Sequence, residues 1–290
     1  MVNIYRPETI AQAVDTLSVG EHTLFAGGTD LMVHNKARLG LIPGFKKDVV
    51  FVDGITEITQ IENSTFGSGI RIGAAATLAD IEKSALVPQI LKDAIVKIAA
   101  PALRNRATLG GNICNASPAA DSLPPLYLLD AKVILSSQIG QRQLPLAGFI
   151  SGPGRTLLQQ GEMLSYIVIP KCECEQTFYH KVGTRAANAL TKLSIVGLAK
   201  VEGRLVTDFR VAFGAVGPTI VRCLDLEKKI IGQSLSAIQS DDFIQKIIEL
   251  YSPLITPIDD QRSTAEYRHL ASLNLLKRFL LSLQENKLQV

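Results

Sequence analysis

Apolar residues recur along this chain at two spacings, and each change of spacing marks a new element. Ile10, Ala13, Val14 and Leu17, following Pro7, repeat at helical intervals and predict a short amphipathic helix. Residues 24–26 form a short apolar run that stops at Gly27-Gly28-Thr29-Asp30, and a second helical stretch starts at Leu31. Residues 49–52 are mostly β-branched and predict a strand. Residues 70–76 predict another, with Gly73 at a point where a second backbone can come close. Thr77-Leu78-Ala79-Asp80 has the form of a capping box that opens a helix. Leu91, Ala94, Ile95 and Ile98 then hold a helical period until Pro101 ends it. Residues 104–121 keep neither spacing and are small, polar and glycine-rich. Beyond them the pattern predicts a short helix at 125–129 and strands at 131–136 and 163–169.

A domain boundary is expected near residues 170–176, dividing 1–172 from 173–290. After it come predicted strands at 178–182, 193–201 and 209–213, and then helices. In the last helix Ser263 and Glu266 are expected to form a capping box, and Leu270, Leu273, Leu276, Leu280 and Leu283 to form one buried stripe. Strands and helices interleave irregularly, with antiparallel-looking runs in both halves. That arrangement predicts an α+β fold rather than a doubly wound parallel sheet.

Composition narrows the chemistry. With 47% hydrophobic and 20% charged residues in 290, the chain is too apolar to be disordered. No apolar run approaches the roughly 18 residues of a membrane span. Glu8 and the lack of an apolar h-region argue against a secretory signal, so a cytoplasmic location is expected. Thirty basic against 27 acidic residues leave a net charge of +3, too weak a field to make nucleic acid an expected partner. The four cysteines, Cys114, Cys172, Cys174 and Cys223, are too sparse for a disulfide framework. Cys172-Glu173-Cys174 alone lacks the four ligands of a zinc or iron–sulfur site, so no metal is expected. The histidines, His22, His34, His180 and His269, are scattered without paired spacing, and no Ser/His/Asp reading stands out.

Two glycine loops carry the candidate chemistry. In Leu24-Phe25-Ala26-Gly27-Gly28-Thr29-Asp30-Leu31, adjacent glycines between a strand-like run and a helix start allow amide groups to converge on an anion. A plain tight turn has the same signature. The second loop again joins Gly110-Gly111 to a threonine, Thr108, with Leu109 between them and Asn112 following. Asp121 beyond it is placed to accept from sugar hydroxyls. A stretch of this length without periodicity is either surface or functional, and its many small residues favour close approach of a ligand. Two such loops suit a pyrophosphate gripped from both sides. Neither the Rossmann fingerprint nor the P-loop is present.

At these loops the sequence resembles the FAD-binding subunits of the molybdenum hydroxylases, the medium subunits of the xanthine dehydrogenase and carbon monoxide dehydrogenase type. The resemblance rests on FAGGTDL and LRNRATLGGNICNASPAADS, with SGPGRT at 151–156 and STAEYR at 263–268. It implies a PCMH-type FAD-binding domain over 1–172, with subdomains near 1–55 and 56–172, and a CO dehydrogenase flavoprotein C-terminal domain over 173–290. By position it implies that residues 24–31 and 108–112 hold the pyrophosphate of a non-covalent FAD, and that Asp121 is a sugar or ribityl ligand. It places Ile98, Leu164 and Lys181 at further flavin contacts. From the sequence alone Lys181 also reads as a solvated charge on a strand edge.

The implied activity is electron transfer. Electrons leave substrate at a molybdenum-cofactor large subunit, pass a 2Fe–2S small subunit, and reach this FAD, which reduces NAD or another acceptor; the xanthine-dehydrogenase type fits CNASPAADS and GPGRT best. Two alternatives remain at this level: a free-standing flavoprotein oxidase of the same fold, and a non-redox nucleotide-binding scaffold subunit.

Overall fold

The computed structural model describes residues 2–36, 44–64, 67–185 and 188–285. It divides into two compact units. The first takes Met1–Pro88, Ile98–Ser117 and Asp130–Lys171, and the second takes Gln89–Lys97, Pro118–Leu129 and Cys172–Val290.

The first unit holds two sheets. Strands β1 (Ile4–Tyr5), β2 (His22–Phe25) and β3 (Asp48–Phe51) form a small parallel sheet in the order β1-β3-β2. A second sheet is built from β4 (Ile61–Asn63), β5 (Gly69–Gly73), β6 (Lys132–Ser137) and β7 (Gly140–Pro145). After the hairpin β8 (Ile150–Gly152) and β9 (Arg155–Thr156), strand β10 (Met163–Pro170) enters its centre to give the antiparallel order β4-β5-β10-β6-β7. The predicted helix forms as Ile10–Ser18, capped by the Thr9 hydroxyl accepting from the Gln12 amide. It buries Ala13, Val14 and Leu17 in a core shared with Val50, Ile58, Met163 and Tyr166.

A break in the ladder between Leu164 and Tyr166 decides where β5 ends. Ser165 is fully buried, its hydroxyl donates to the Ile134 carbonyl at 2.9 Å, and its carbonyl accepts from the Ala74 amide at 2.9 Å. The chain therefore leaves β5 at Gly73, earlier than the predicted end at residue 76, because the Ala74 and Ala75 amides find partners off the strand: Ser165 and Ile58.

In the second unit β11 (Gln176–Gly183), β12 (Thr191–Glu202), β13 (Leu205–Gly214) and β14 (Val221–Arg222) form an antiparallel sheet in sequence order. One face packs on the C-terminal helices, with Phe279 stacked between Phe178 and Phe209. The other face carries the helices Gln89–Ile95 and Leu123–Leu128, contributed from earlier in the chain.

Four predicted details change. The helical period through Ile98 stops at Ile95: the Lys97 amide turns back to the Ala94 carbonyl, and Ala99 takes a left-handed φ of +48°. Pro101 opens a new turn, Pro101–Arg104, rather than ending one; at the first helical position its missing amide hydrogen has no cost. In the last helix, Ala265–Ser282, the capping hydroxyl is that of Thr264, because the Ser263 amide is tied back to Asp260 Oδ1 at 3.2 Å. Leu270 is 54% exposed there, while Leu273, Leu276, Phe279 and Leu280 are buried. At 3.6 residues per turn Leu270 lies roughly 110° from the centre of that buried face.

Candidate functional site

The stretch 104–121 is not a continuous loop. Thr108 caps a six-residue helix, Leu109–Cys114, its hydroxyl accepting from the Gly111 amide at 3.1 Å. Glycines disfavour a helix at this point, so the support is tertiary. The Leu109 amide donates to the Ala76 carbonyl at 3.1 Å, and the Gly110 amide to the Ala74 carbonyl at 2.9 Å. Thr77, which caps the helix Leu78–Lys83 through the predicted box with Asp80, pairs with Thr108 in an isolated antiparallel bridge.

Backbone packs on backbone here, and that explains two of the glycines. A Cβ on Gly110 would lie 2.6 Å from the Ala74 carbonyl oxygen, and one on Gly27 would lie 1.9 Å from the Arg106 carbonyl oxygen. Gly28 has φ +72°, over the ring of Phe25, a conformation that L side chains avoid. Gly111 differs: among the described residues only the Thr108 hydroxyl, at 2.9 Å, stands near the space its Cβ would fill.

The two glycine segments line one cavity of about 360 Å³ within the first unit. Leu24, Ala26, Gly27, Gly28, Thr29, Asp30 and Leu31 come from the first; Thr108, Gly110, Gly111 and Asn112 come from the second; Leu164 closes a third side. The structure thus brings the two glycine segments singled out in the sequence to one cavity. Phe25 and Leu109 do not line the cavity: Phe25 stacks on Phe51 at 4.5 Å, and Leu109 is fully buried. Ile98 lies outside it too, half-buried, with its carbonyl accepting from the Arg104 guanidinium at 3.2 Å.

The hydrogen bonding of the two segments is unequal. At the second, the amides from Leu109 to Asn112 already have acceptors, so its contribution to a ligand lies in the Thr108 hydroxyl proton and the Asn112 side chain. At the first, the amides of Gly28, Thr29, Asp30 and Leu31 donate to no protein group among the described residues. Buried or ligand-facing amides left unpaired in this way form an anion-accepting concavity. Among the described residues no Lys or Arg lines the cavity; its titratable members there are Asp30, His34 and Cys114. The described lining offers an anion backbone and side-chain dipoles. That fits the middle of a dinucleotide, and the volume, near the low end of the 300–1,000 Å³ range of small-molecule sites, suits part of one.

Sequence reading missed several lining residues. Ala74 and Ala75 reach the cavity from the end of β5, and Asn115 and Cys114 from the end of the short helix. The run Gly73-Ala74-Ala75-Ala76 carried the signal, because a strand ending in small residues leaves room for another backbone. The Cys114 thiol in the cavity wall is pushed up to about 12 by burial.

Asp121 and Lys181 belong to the second unit, where they meet. Lys181 Nζ lies 2.7 Å from Asp121 Oδ2 and donates to the Lys97 carbonyl at 2.8 Å; the two side chains are 9% and 7% exposed. Thr191 donates to Asp121 Oδ1 at 2.6 Å. The reading of Lys181 as a solvated edge charge is therefore corrected: β11 turns it toward the helices Gln89–Ile95 and Leu123–Leu128, away from water. Burial holds the Asp121 carboxyl above the usual carboxylate range, with Lys181 and Thr191 drawing it back. Tyr179, two residues before Lys181 on the same face, leaves its hydroxyl buried without a partner among the described residues.

Cys172 and Cys174 interact with each other. The Cys172 thiol is drawn down to about 6, chiefly by a hydrogen bond from Cys174, whose own value rises. Among the described residues no three His, Cys, Asp or Glu side chains gather as a metal site, and no helix is long and apolar enough to cross a membrane.

Comparison with known proteins identifies the family. Residues 1–172 match the family described as the FAD binding domain in molybdopterin dehydrogenase, and residues 178–283 match the CO dehydrogenase flavoprotein C-terminal domain. The chain is 32% identical over 268 residues to the glyceraldehyde dehydrogenase medium chain of Sulfolobus acidocaldarius, covering 91% of each. It is 29% identical over 273 residues to the putative xanthine dehydrogenase FAD-binding subunit of Escherichia coli, covering 91% of this chain and 89% of that one. A crystal structure of carbon monoxide dehydrogenase from Hydrogenophaga pseudoflava superposes with a TM-score of 0.85 at 25% identity, covering 96% of this chain and 95% of that chain. With both consecutive domains matched and a cavity whose bare amides suit a dinucleotide, the chain belongs to the FAD-binding medium subunits of the molybdenum hydroxylases, as an oxidoreductase component whose cofactor is FAD.

Proposed function

We propose that the chain is the electron-transfer subunit of a xanthine-dehydrogenase-like complex, working beside a molybdenum-cofactor large subunit and a 2Fe–2S small subunit and delivering electrons to NAD or another acceptor. The observation that carries this reading is the set of uncommitted amides from Gly28 to Leu31 facing the same cavity as Gly111. The names of the relatives, medium chains and an FAD-binding subunit of dehydrogenases, support the assembly.

The flavin, when bound, supplies the redox chemistry; the protein binds, orients and tunes it. Residues 27–31 receive the pyrophosphate on backbone amides, with the hydroxyl of Thr108 and the side-chain amide of Asn112 on the opposite side. Leu24, Ala26 and Leu164 provide apolar wall, and Phe25 and Leu109 support the loops from beneath. Ile98, Asp121 and Lys181 are kept as proposed flavin contacts on the family resemblance alone. Binding is read as non-covalent, and burial, which holds the Cys114 thiol protonated, weighs against that side chain as an anchor.

The experiment is co-purification of the chain with its neighbouring large and small subunits, followed by anaerobic addition of NADH. One acid-releasable FAD per chain and bleaching of the flavin's visible band are expected. Flavin that stays unreduced by NADH, but is reduced through the partner subunits, would replace NAD by another acceptor.

A further inference from the structure

Asp30 sits immediately before the helix Leu31–His34, in the position where aspartate is among the preferred capping residues. It does not cap. Its backbone is already helical, with φ −91° and ψ −41°, and its carboxylate bonds none of the helix amides. Asp30 Oδ2 instead accepts from Asn115 Nδ2 at 2.9 Å, across 85 positions of sequence. A carboxylate in the wall of a diphosphate cavity also repels the ligand, so this one is retained against two local preferences.

The far end of the bond is firmly held. Asn115 closes the helix Leu109–Cys114, its own amide bonding the Gly111 carbonyl at 3.0 Å. That helix is locked to Ala74 and Ala76 by the amides of Gly110 and Leu109. The near end is not: the helix after Asp30 is a single turn, and the amides from Gly28 to Leu31 have no protein partner among the described residues. A ligand that relies on those amides needs them held before it arrives, because ordering them on binding would subtract from affinity.

We infer that Asn115 is a positioning residue which, through Asp30, holds the first glycine loop in the geometry a diphosphate needs. The inference rests on the flavin reading above. Asn115 acts on the amides, and the bond with Asp30 is its means. The donor and acceptor are interchangeable: exchanging the two residues keeps one amide-to-carboxylate bond at the same place.

The test measures Kd for FAD, ADP and riboflavin on the full chain stripped of flavin, together with the thermal midpoint of that apo-protein. Asn115→Ala is expected to weaken FAD and ADP about tenfold, the effect of losing one exposed charge-assisted hydrogen bond, while riboflavin affinity and the apo midpoint stay put. The exchanged double variant Asp30→Asn/Asn115→Asp is expected to recover most of the loss. Wild-type FAD affinity in Asn115→Ala would overturn the inference, and so would failure of the exchanged pair to recover. An apo midpoint that falls in step with affinity would make Asn115 a structural residue and overturn it too. A wild-type chain that binds neither FAD nor ADP would overturn the flavin reading itself.

Discussion

Glycine is used in two ways around the cavity, and substitution separates them. Gly27 and Gly110 admit a neighbouring carbonyl, so Gly27→Ala must push backbone from backbone; it is expected to lower stability by several kcal/mol and to reduce soluble yield. Gly111 borders the proposed ligand space. Gly111→Val disturbs the Thr108 cap, worth about 1 kcal/mol, and fills the cavity mouth. Its thermal midpoint should fall by only a few degrees while FAD is lost, read by the flavin absorbance of the purified protein. The Asp121–Lys181 pair gives a pH prediction. Its folded carboxyl value is raised, so Asp121 binds its proton more tightly folded than unfolded. That contribution favours folding below the ordinary carboxylate range and is lost as pH rises through the raised value. Lys181→Met removes a charge that opposes the rise. It should destabilise the protein by about 3–5 kcal/mol at pH 8 and by less at pH 5, in urea melts at the two pH values.

Elements were legible where their cause is local. The box Thr77-Leu78-Ala79-Asp80 works across three residues, and both of its hydrogen bonds are present. The helix Leu109–Cys114 was not legible, because its glycines argue against it and the bonds that support it come from Ala74 and Ala76. The same holds for the site. Both glycine loops were visible as motifs, but the inequality of their amides depends on partners tens of residues away, and the burial of Lys181 depends on Asp121, 60 positions earlier. The last helix is a middle case, with the period correct and the face misjudged by one leucine. Leu270→Glu should change stability by less than about 0.5 kcal/mol, whereas Leu276→Ala should cost about 2–5 kcal/mol, measured by denaturant titration. Equal effects would restore Leu270 to the buried stripe.

At the scale of the whole molecule, the chain order and the packing order differ. The second unit borrows Gln89–Lys97 and Pro118–Leu129 from within the sequence of the first. These are not peripheral additions. The helix Leu123–Leu128 is buried along its whole length against β12 and β13, and Arg210 on β13 donates to the Leu128 carbonyl at 2.8 Å. A Cβ on Gly214 would lie 3.0 Å from Pro124, so the sheet is shaped to receive that helix. Asp121, the partner of Lys181, arrives on the same segment. A fragment of residues 173–290 would therefore keep the core on its C-terminal face, with Phe209, Phe213, Tyr251 and Phe279, and lose the cover of the other. The apolar residues bared on β12 and the unpaired Lys181 make cooperative folding of that fragment unfavourable. The expected result is a fragment with strand and helix signals in circular dichroism but no sharp thermal transition, and one that aggregates at micromolar concentration. A sharp transition near that of the intact chain would mean that the segments 89–97 and 118–129 are dispensable to the second unit, and that the break in the sequence after residue 172 is also the break in cooperativity.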